Sequence, residues 1–480
     1  MSRLPADCLT EIFEHLDDKN SLYSCLLVNR LWCKISVGFY WRDMENYSTS
    51  NFNTLISCLP NESKEILSEN KIIISTPTLN PMFNYASFCK VLSIDRVYTK
   101  VEELLMNQEN FPFHDLKDDI IILSQEIFKL FVKQISSLKK LVTFWSSHNC
   151  ITIYPETKNF LKNLSELHCN SDICPILFYH LSQICHNISL LNITFNKLIS
   201  NGLKDLIFVQ KNLKYFNLMQ YNYPENYLPS LITKLPNTLI KLNLYGKNSN
   251  SLSFISNFTN LQILQLSFQS SENFEDFDKL QHVILPKLQI LKIQRAFPKC
   301  ELLIKFLENN GKNLKEFYLS DIKGYSDNSL NLAIAKFCPN LKKLSTGIKN
   351  DELETLKIIF NNCQYLESIK IWCGSIFLSE KEALETVVKQ SHKNISELIL
   401  YHLYYVRPRL FPEELESFFI SWENRVPLKP LSLVIITDYF CINTLDKYDE
   451  NMKIIKKYIR SGVIKNFEVT GFEEDESTNY

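Results

Sequence analysis

Glycine is scarce in this sequence, with 9 residues among 480. Glycine supplies the left-handed backbone conformations that tight turns and phosphate-binding loops need. Neither a Gly-x-Gly-x-x-Gly motif nor a Walker-type Gly-Lys-Ser occurs in the chain. The usual nucleotide-binding loops are therefore excluded, and folds rich in tight glycine turns are disfavoured.

Clustered cysteines and long apolar runs are also missing. The 14 cysteines are scattered without a Cys-x-x-Cys motif, and the nearest pair is Cys169 and Cys174. No run of 18 apolar residues exists, so no membrane span is expected. Asp7, Glu11 and Glu14 interrupt the first apolar stretch, which therefore cannot be a secretory signal. We expect reduced, mostly buried thiols in a protein of the cytoplasm, the nucleus or both.

The net charge of −1 shows no excess of either sign. Long-range attraction of the whole chain to nucleic acid or to anionic lipid is therefore not indicated. Apolar residues make up 45% of the sequence and charged residues 22%, which is typical of a folded chain. Because single cores stop growing near about 250–300 residues, 480 residues indicate several domains or a repeat array.

The first 45 residues carry more large apolar side chains than so short a segment can bury. Leu9, Ile12, Phe13 and Leu16 follow helical spacing, and Pro5 suits a helix start. We expect a break at residues 17–20, a second helix capped by Ser21, and a third helix that runs toward Trp41. Domains of about 40 residues usually need a metal, a disulfide or a partner. With no metal-binding set in this segment and a reducing compartment, a partner protein is the remaining candidate.

This segment resembles the F-box. The matching residues are Leu4-Pro5-x-Asp7-x-Leu9-x-x-Ile12-Phe13-x-x-Leu16, Ser21-Leu22, Cys25-Leu26-Leu27-Val28-Asn29-Arg30-x-Trp32 and Tyr40-Trp41-Arg42. The resemblance implies a three-helix unit that docks on a Skp-type adaptor and, through it, on a cullin. The residues it places at or behind the adaptor contact are Leu4, Pro5, Leu9, Ile12, Leu16, Val28 and Trp32. The alternative is that these helices simply cap whatever follows them.

From residue 138 onward a second pattern recurs, in which apolar residues stand at the first, fourth and sixth positions. The first positions are Leu138, Leu164, Ile188, Leu213, Leu239, Leu261, Leu288, Leu314, Leu341, Leu366, Ile395, Leu431 and Ile464. Most steps between them match the leucine-rich-repeat period of about 20–29 residues. The segment from Ile188 to Leu198 matches the whole repeat signature, with Asn196 at its ninth position. The last steps are longer and predict inserted loops near residues 402–430 and 440–460.

An asparagine often precedes the first apolar position, where it suits a turn that leads into a strand. Helical spacing between the predicted strands, as in 301–307 and 330–337, predicts one helix per repeat. The expected fold class is an α/β solenoid, a leucine-rich-repeat horseshoe with parallel strands inside and helices outside, after an all-α F-box domain. The expected domains are 1–45, a linker and irregular first repeat at 46–137 with a degenerate strand around Leu92, the solenoid at 138–470, and an acidic disordered tail at 471–480.

The positions of cysteine and histidine in the repeats predict packing rather than catalysis. Cys185, Cys338 and Cys363 each stand three residues before a repeat, so the period spreads them apart and predicts buried packing. His168 and Cys169 are neighbours on a predicted strand and therefore point to opposite faces, which disfavours a catalytic pair. We expect no catalytic residue, metal site or cofactor, although a small molecule that bridges solenoid and target is conceivable by analogy with plant hormone receptors of this class.

Aromatic residues recur at positions predicted to face outward from the strands. The expected substrate-binding residues are Tyr215, Tyr245, Tyr318, Trp372 and Tyr401. The alternative is that each ring packs on its neighbours or on a C-terminal loop. The resulting hypothesis is a non-catalytic, substrate-recognition subunit of a ubiquitin ligase. Two alternatives are a protein-binding scaffold without ubiquitylation and, with no motif in its favour, a hydrolase built on the same solenoid.

Overall fold

In this computed structural model the described residues are 4–16, 18–72, 81–107, 116–144, 156–196, 200–220, 231, 234–247, 251–320, 324–374, 376–402, 410–437, 441 and 443–472. The chain divides into two compact units, Met1–Thr238 and Leu239–Tyr480. We describe them separately as the N-terminal unit and the C-terminal unit.

The N-terminal unit begins with three helices, α1 (Ala6–Glu14), α2 (Lys19–Leu26) and α3 (Arg30–Tyr40). Short polar side chains cap the N-termini of two of these helices. The Asp18 carboxylate accepts hydrogen bonds from the backbone N–H groups of Asn20 and Ser21 at the start of α2. Asn29 accepts from two N–H groups at the start of α3. Such N-caps satisfy donors that a helix cannot pair internally. The prediction that Ser21 caps the second helix is wrong, because Asp18 takes that position.

Residues 46–137 were expected to be a linker and irregular first repeat, and their described parts (46–72, 81–107 and 116–137) contain four α-helices and one strand. The elements are α4 (Thr49–Ser57), α5 (Asn61–Glu69), β1 (Val91–Ser93), α6 (Ile94–Met106) and α7 (Leu116–Gln134). The strand predicted around Leu92 is therefore present as β1. It is shorter than the pattern indicated, because Ser93 caps α6 by accepting from the Arg96 N–H.

The N-terminal unit continues with alternating strands and helices. These are β2 (Lys140–Thr143), α8 (Thr157–Leu161), β3 (Glu166–Asn170), α9 (Pro175–Ile184), β4 (Leu190–Phe195), α10 (Asn201–Phe208) and β5 (Tyr215–Gln220). Each strand pairs in parallel with the next one along the chain. Leu141, Leu167, Leu191 and Phe216 align across β2–β5 and are all buried, so one apolar row continues through the repeats.

The C-terminal unit repeats the same scheme. Its strands are β6 (Lys241–Gly246), β7 (Ile263–Phe268), β8 (Ile290–Gln294), β9 (Glu316–Ser320), β10 (Lys343–Thr346), β11 (Ser368–Cys373), β12 (Glu397–His402), β13 (Leu431–Ile436) and β14 (Ile464–Thr470). Two 3₁₀ segments, Leu252–Asn257 and Ser271–Lys279, connect β6, β7 and β8. Neighbouring strands again pair in parallel and in chain order.

Six helices join the later strands of this unit. They are α11 (Cys300–Asn310), α12 (Asn328–Phe337), α13 (Leu353–Asn362), α14 (Glu380–Gln390), α15 (Pro412–Glu423) and α16 (Asp449–Arg460). The helices predicted at 301–307 and 330–337 are thus confirmed. The segments near residues 402–430 and 440–460, predicted as inserted loops, contain the helices α15 and α16. Residues 403–409 lie outside the described residues.

Strands and helices therefore alternate through both units, and the predicted α/β solenoid after an N-terminal helical region is confirmed. The cysteines predicted to pack in the core do so: Cys185, Cys338 and Cys363 are buried. Two of these cysteines also connect their repeat to the preceding repeat. The Cys363 thiol donates to the carbonyl of Cys338 at 3.4 Å, and the Cys185 thiol donates to the carbonyl of Leu161 at 3.3 Å.

Candidate binding surfaces

The three N-terminal helices enclose a small core. Leu9, Phe13, Leu22 and Cys25 are buried in it. The rings of Phe13 and Trp32 meet edge to face with their centroids 5.2 Å apart. Burial of these side chains holds the helices together, and it leaves other apolar residues of the same segment on the surface.

Several of those residues are strongly exposed. Leu4 is 51% exposed, Ile12 45% and Val28 55%. Together with three further exposed side chains they form what we call the exposed apolar set: Leu4, Ile12, Tyr23, Leu27, Val28 and Leu31. Isolated apolar residues on a surface are ordinary, whereas six are exposed within 28 residues of this small domain.

The residues predicted for the adaptor contact therefore divide into two groups. Leu4, Pro5, Ile12 and Val28 are exposed, whereas Leu9 is buried in the core. Leu16 and Trp32 are half-buried and pack against that core. Tyr23, Leu27 and Leu31 were not assigned to the contact from the sequence. Their exposure depends on how α2 and α3 turn against α1, which helical spacing alone does not specify.

In the C-terminal unit, alternate side chains of the strands share one face of the sheet, which we call the open face. One row across it contains Lys292, Tyr318, Ser345 and Lys370 on β8–β11. Another row places Trp372 beside Tyr401. Adjacent strands lie about 4.8 Å apart, so residues in a row are close neighbours.

Two of the predicted anchors on this face are half-buried and stacked with cations. The Lys292 ammonium lies 5.0 Å from the ring centroid of Tyr318, whose hydroxyl donates to Glu316 at 3.0 Å. The Arg295 guanidinium lies 4.7 Å from the ring of Tyr245. Arg295 has a φ of 72°, a left-handed conformation that is unusual for a residue with a side chain. These pairs combine an apolar ring with a cation at one place.

Trp372 and Tyr401 are instead buried. Trp372 is 0% exposed and packs edge to face on Phe377, while Tyr401 stacks on Phe472 with centroids 5.0 Å apart. The expectation that these two rings face solvent is therefore wrong, and the alternative that they pack on neighbours and on a C-terminal segment describes them. Gly347 permits this packing, because a Cβ there would stand 2.6 Å from both Trp372 and Phe377.

Tyr215 belongs to the N-terminal unit, on β5, and is 37% exposed. It is aligned with Leu190 of β4. The structure thus brings together Trp372 and Tyr401, gives Tyr245 and Tyr318 separate cation partners, and leaves Tyr215 in a different unit.

Several titratable groups inside the repeats are buried or half-buried. His402 Nε2 lies 2.7 Å from Glu380 Oε1, both side chains are fully buried, and the Leu445 N–H also donates to that oxygen. Burial lowers the pKa of His168 to about 4, with a further contribution from Lys140. Cys169 is buried on the other side of its strand, where burial raises the pKa of its thiol. Among the described residues, no three His, Cys, Asp or Glu side chains are grouped to hold a metal ion.

The comparison with protein families bears directly on the N-terminal helices. The F-box-like family matches residues 1–46. Residues 1–46 are an F-box-like domain. The buried core and the exposed apolar set described above both belong to this domain. Within the described ranges, no helix is long and apolar enough to cross a membrane.

Comparisons of the whole chain are less informative. No curated protein matches it. Among solved structures, one titled as the crystal structure of the Rad7 and Elc1 complex in yeast is 16% identical, with 92% of this chain and 94% of that chain covered and a TM-score of 0.39. A structure of a TDR receptor is 13% identical, with 73% and 55% covered and a TM-score of 0.31.

Proposed function

We propose that this protein is a substrate-recognition subunit of a Skp–cullin–F-box ubiquitin ligase. The F-box-like domain binds a Skp-type adaptor, which connects it to a cullin, and the solenoid binds a target protein. The chain itself performs no chemistry in this proposal. It acts by holding the target near a conjugating enzyme, which raises the effective concentration of the target. Its expected location is the cytoplasm, the nucleus or both.

The exposed apolar set of the F-box-like domain is the observation that carries the proposal. Covering one leucine or isoleucine side chain contributes roughly 1.5–3 kcal/mol. Several such side chains covered together would favour association with an apolar partner surface. The buried Leu9 and the half-buried Leu16 and Trp32 would act indirectly, because they hold α1 and α3 in the orientation that presents Ile12.

Binding to a purified Skp-type adaptor tests the first half of the proposal. We expect the full chain to bind, and Ile12→Glu and Val28→Glu each to weaken binding by about tenfold or more, because each change removes buried apolar area and buries a charge. Lys34→Glu is the matched control, since Lys34 is an exposed polar residue on α3 of the same domain. Failure of the wild-type chain to bind, or equal binding by all variants, would contradict the adaptor role.

For the target we propose the open face of the C-terminal unit, with Tyr245 and Tyr318 as anchors, and Tyr215 as an anchor in the N-terminal unit. Half-exposed tyrosines beside cations offer both apolar contact and hydrogen bonding, which suits protein recognition. Trp372 and Tyr401 would not contact the target directly, because Phe377 and Phe472 pack against them on the same face.

Capture from lysate with the adaptor contact disabled by Ile12→Glu tests the second half, because captured targets then escape degradation. Proteins lost in Tyr318→Ala but retained in Tyr179→Ala would support the open face. Tyr179 is an equally large, exposed ring on α9. Identical capture by both variants would contradict this placement. If targets are captured but the adaptor never binds, the chain is a scaffold rather than a ligase subunit.

A further inference from the structure

A second surface of the C-terminal unit carries four lysines and no acidic residue among the residues that line it. It is a groove of about 510 Å³ at the residues that immediately precede the strands. We call it the lysine groove and define it by Lys287, Gln289, Lys312, Lys315, Lys342 and Tyr365. None of these residues belongs to the exposed apolar set or to the anchors proposed above.

The backbone fixes the spacing of the groove. Gln289, Lys315 and Lys342 come directly before β8, β9 and β10. The Lys315 N–H donates to the carbonyl of Gln289, and the Lys342 N–H donates to the carbonyl of Lys315, both at 2.7 Å. The backbones of Gln289, Lys315 and Lys342 therefore follow one another at about one strand spacing of 4.8 Å. The lysine side chains form a line across successive repeats rather than a cluster around one point.

Positive charge in the groove is only partly balanced. Lys342 pairs with Glu367 at 3.0 Å, and Lys287 donates to the side-chain oxygen of Asn260 at 2.7 Å. Within the part of the chain that the structure describes, Lys312 and Lys315 are exposed and form no ion pair. Four lysines thus face one carboxylate. Charges of one sign along a groove raise the local concentration of an oppositely charged ligand.

The shape of the groove selects the kind of anion. A line of cations over several strands suits a ligand whose negative groups repeat along an extended chain. A carboxylate-bearing peptide fits, because side chains on one side of an extended peptide recur about every 6.6–7 Å and lysine side chains are flexible. A single-stranded nucleic acid would need successive aromatic platforms for its bases. Tyr365, which is 59% exposed, is the one ring that lines the groove.

We propose that the lysine groove binds an extended protein segment rich in aspartate and glutamate. The lysines contact the carboxylates, Gln289 bonds to the peptide backbone, and Tyr365 packs against an apolar side chain at one end. Asn313 and Asn340 hold the loops of the groove in place, because their side-chain amides donate to the carbonyls of Pro286 and Lys312. This site is separate from the adaptor contact and from the open face.

Fluorescence anisotropy with the full chain and a short labelled peptide of alternating glutamate and serine tests the site. We expect binding that weakens as salt is raised, because exposed charges are screened. The triple variant Lys312→Glu/Lys315→Glu/Lys342→Glu should bind about tenfold more weakly or worse. Glu367→Gln should bind more tightly, because it removes the carboxylate that competes for Lys342.

The matched control is Lys453→Glu/Lys456→Glu/Lys465→Glu, which makes the same change in net charge at exposed lysines of the same unit. Loss of binding in the groove variant alone supports the site. Equal loss in both triple variants would show a general charge effect and overturn it. Tighter binding of oligothymidine than of the peptide, with loss in the groove variant, would overturn the peptide assignment. Adaptor binding is measured separately, so either proposal can fail without the other.

Discussion

The side-chain amide of Asn340 donates a hydrogen bond of 2.9 Å to the backbone carbonyl of Lys312, one repeat earlier in the chain. Asn313 makes the same bond to Pro286, and Asn394 makes it to Gln364. The asparagine that recurs before the strands of the C-terminal unit is therefore a connector between repeats, and its position in a turn is only part of its role.

Asn340→Asp should destabilise the protein by about 0.5–1.5 kcal/mol, since the aspartate keeps the shape of the side chain but cannot donate to the Lys312 carbonyl. Chemical unfolding at neutral pH measures the change. Asn257→Asp serves as control, because Asn257 is exposed at the end of a 3₁₀ segment. Equal effects at the two sites would contradict the connector role.

His402→Phe should destabilise by about 3–5 kcal/mol, because it removes the imidazole beside the buried carboxylate of Glu380 and leaves that oxygen only the Leu445 N–H. Glu380→Gln in the same chain removes that charge. The double variant should therefore be more stable than His402→Phe alone when unfolding free energies are compared. If the second change adds a further loss instead, the two side chains are not coupled as the distance of 2.7 Å between them indicates.

Gly347→Ala should destabilise by about 1–3 kcal/mol or more, because the added methyl group meets Trp372, Phe377 and the carbonyl of Tyr325. Gly471→Ala adds the same group where nothing lies within 4 Å, and it should be neutral. Thermal unfolding followed by tryptophan fluorescence compares the two. A neutral result at Gly347 would mean that the aromatic cluster relaxes without cost.

His168 should make stability sensitive to mild acid. Its pKa is lowered from 6.5 to about 4 in the folded chain, first by burial and then by Lys140. The unfolded chain therefore takes up a proton at a higher pH than the folded chain does. The stability from this histidine is present above pH 6.5 and is lost as the pH falls toward 4.

His168→Gln should flatten the fall in unfolding midpoint between those two pH values. His186→Gln should leave it unchanged, because His186 is exposed. An unchanged acid profile in His168→Gln would assign the acid sensitivity to other groups.

Short-range pattern explains much of the fold. Helical spacing predicted α1, α11 and α12, and the repeat period predicted where strands begin. Helical spacing could not predict which residues of the apolar stripe on α1 are buried and which are exposed. Leu9 and Phe13 are buried while Ile12 between them is exposed, because α2 and α3 cover only part of α1. Packing between helices sets that boundary, and each helix has the same spacing whichever part is covered.

The sequence by itself determined the F-box-like domain, the alternation of strands and helices, and the burial of Cys185, Cys338 and Cys363. Each of these features gives a regular spacing of apolar residues or cysteines, so it can be predicted from positions along the chain. Only the tertiary structure decided that Trp372 and Tyr401 are covered and that lysines line up before successive strands. Phe472 stacks on Tyr401 although it lies 71 positions later in the chain, and Lys315 and Lys342 become neighbours through the pairing of their strands. Neither of these contacts can be predicted from the spacing of residues within one helix or strand.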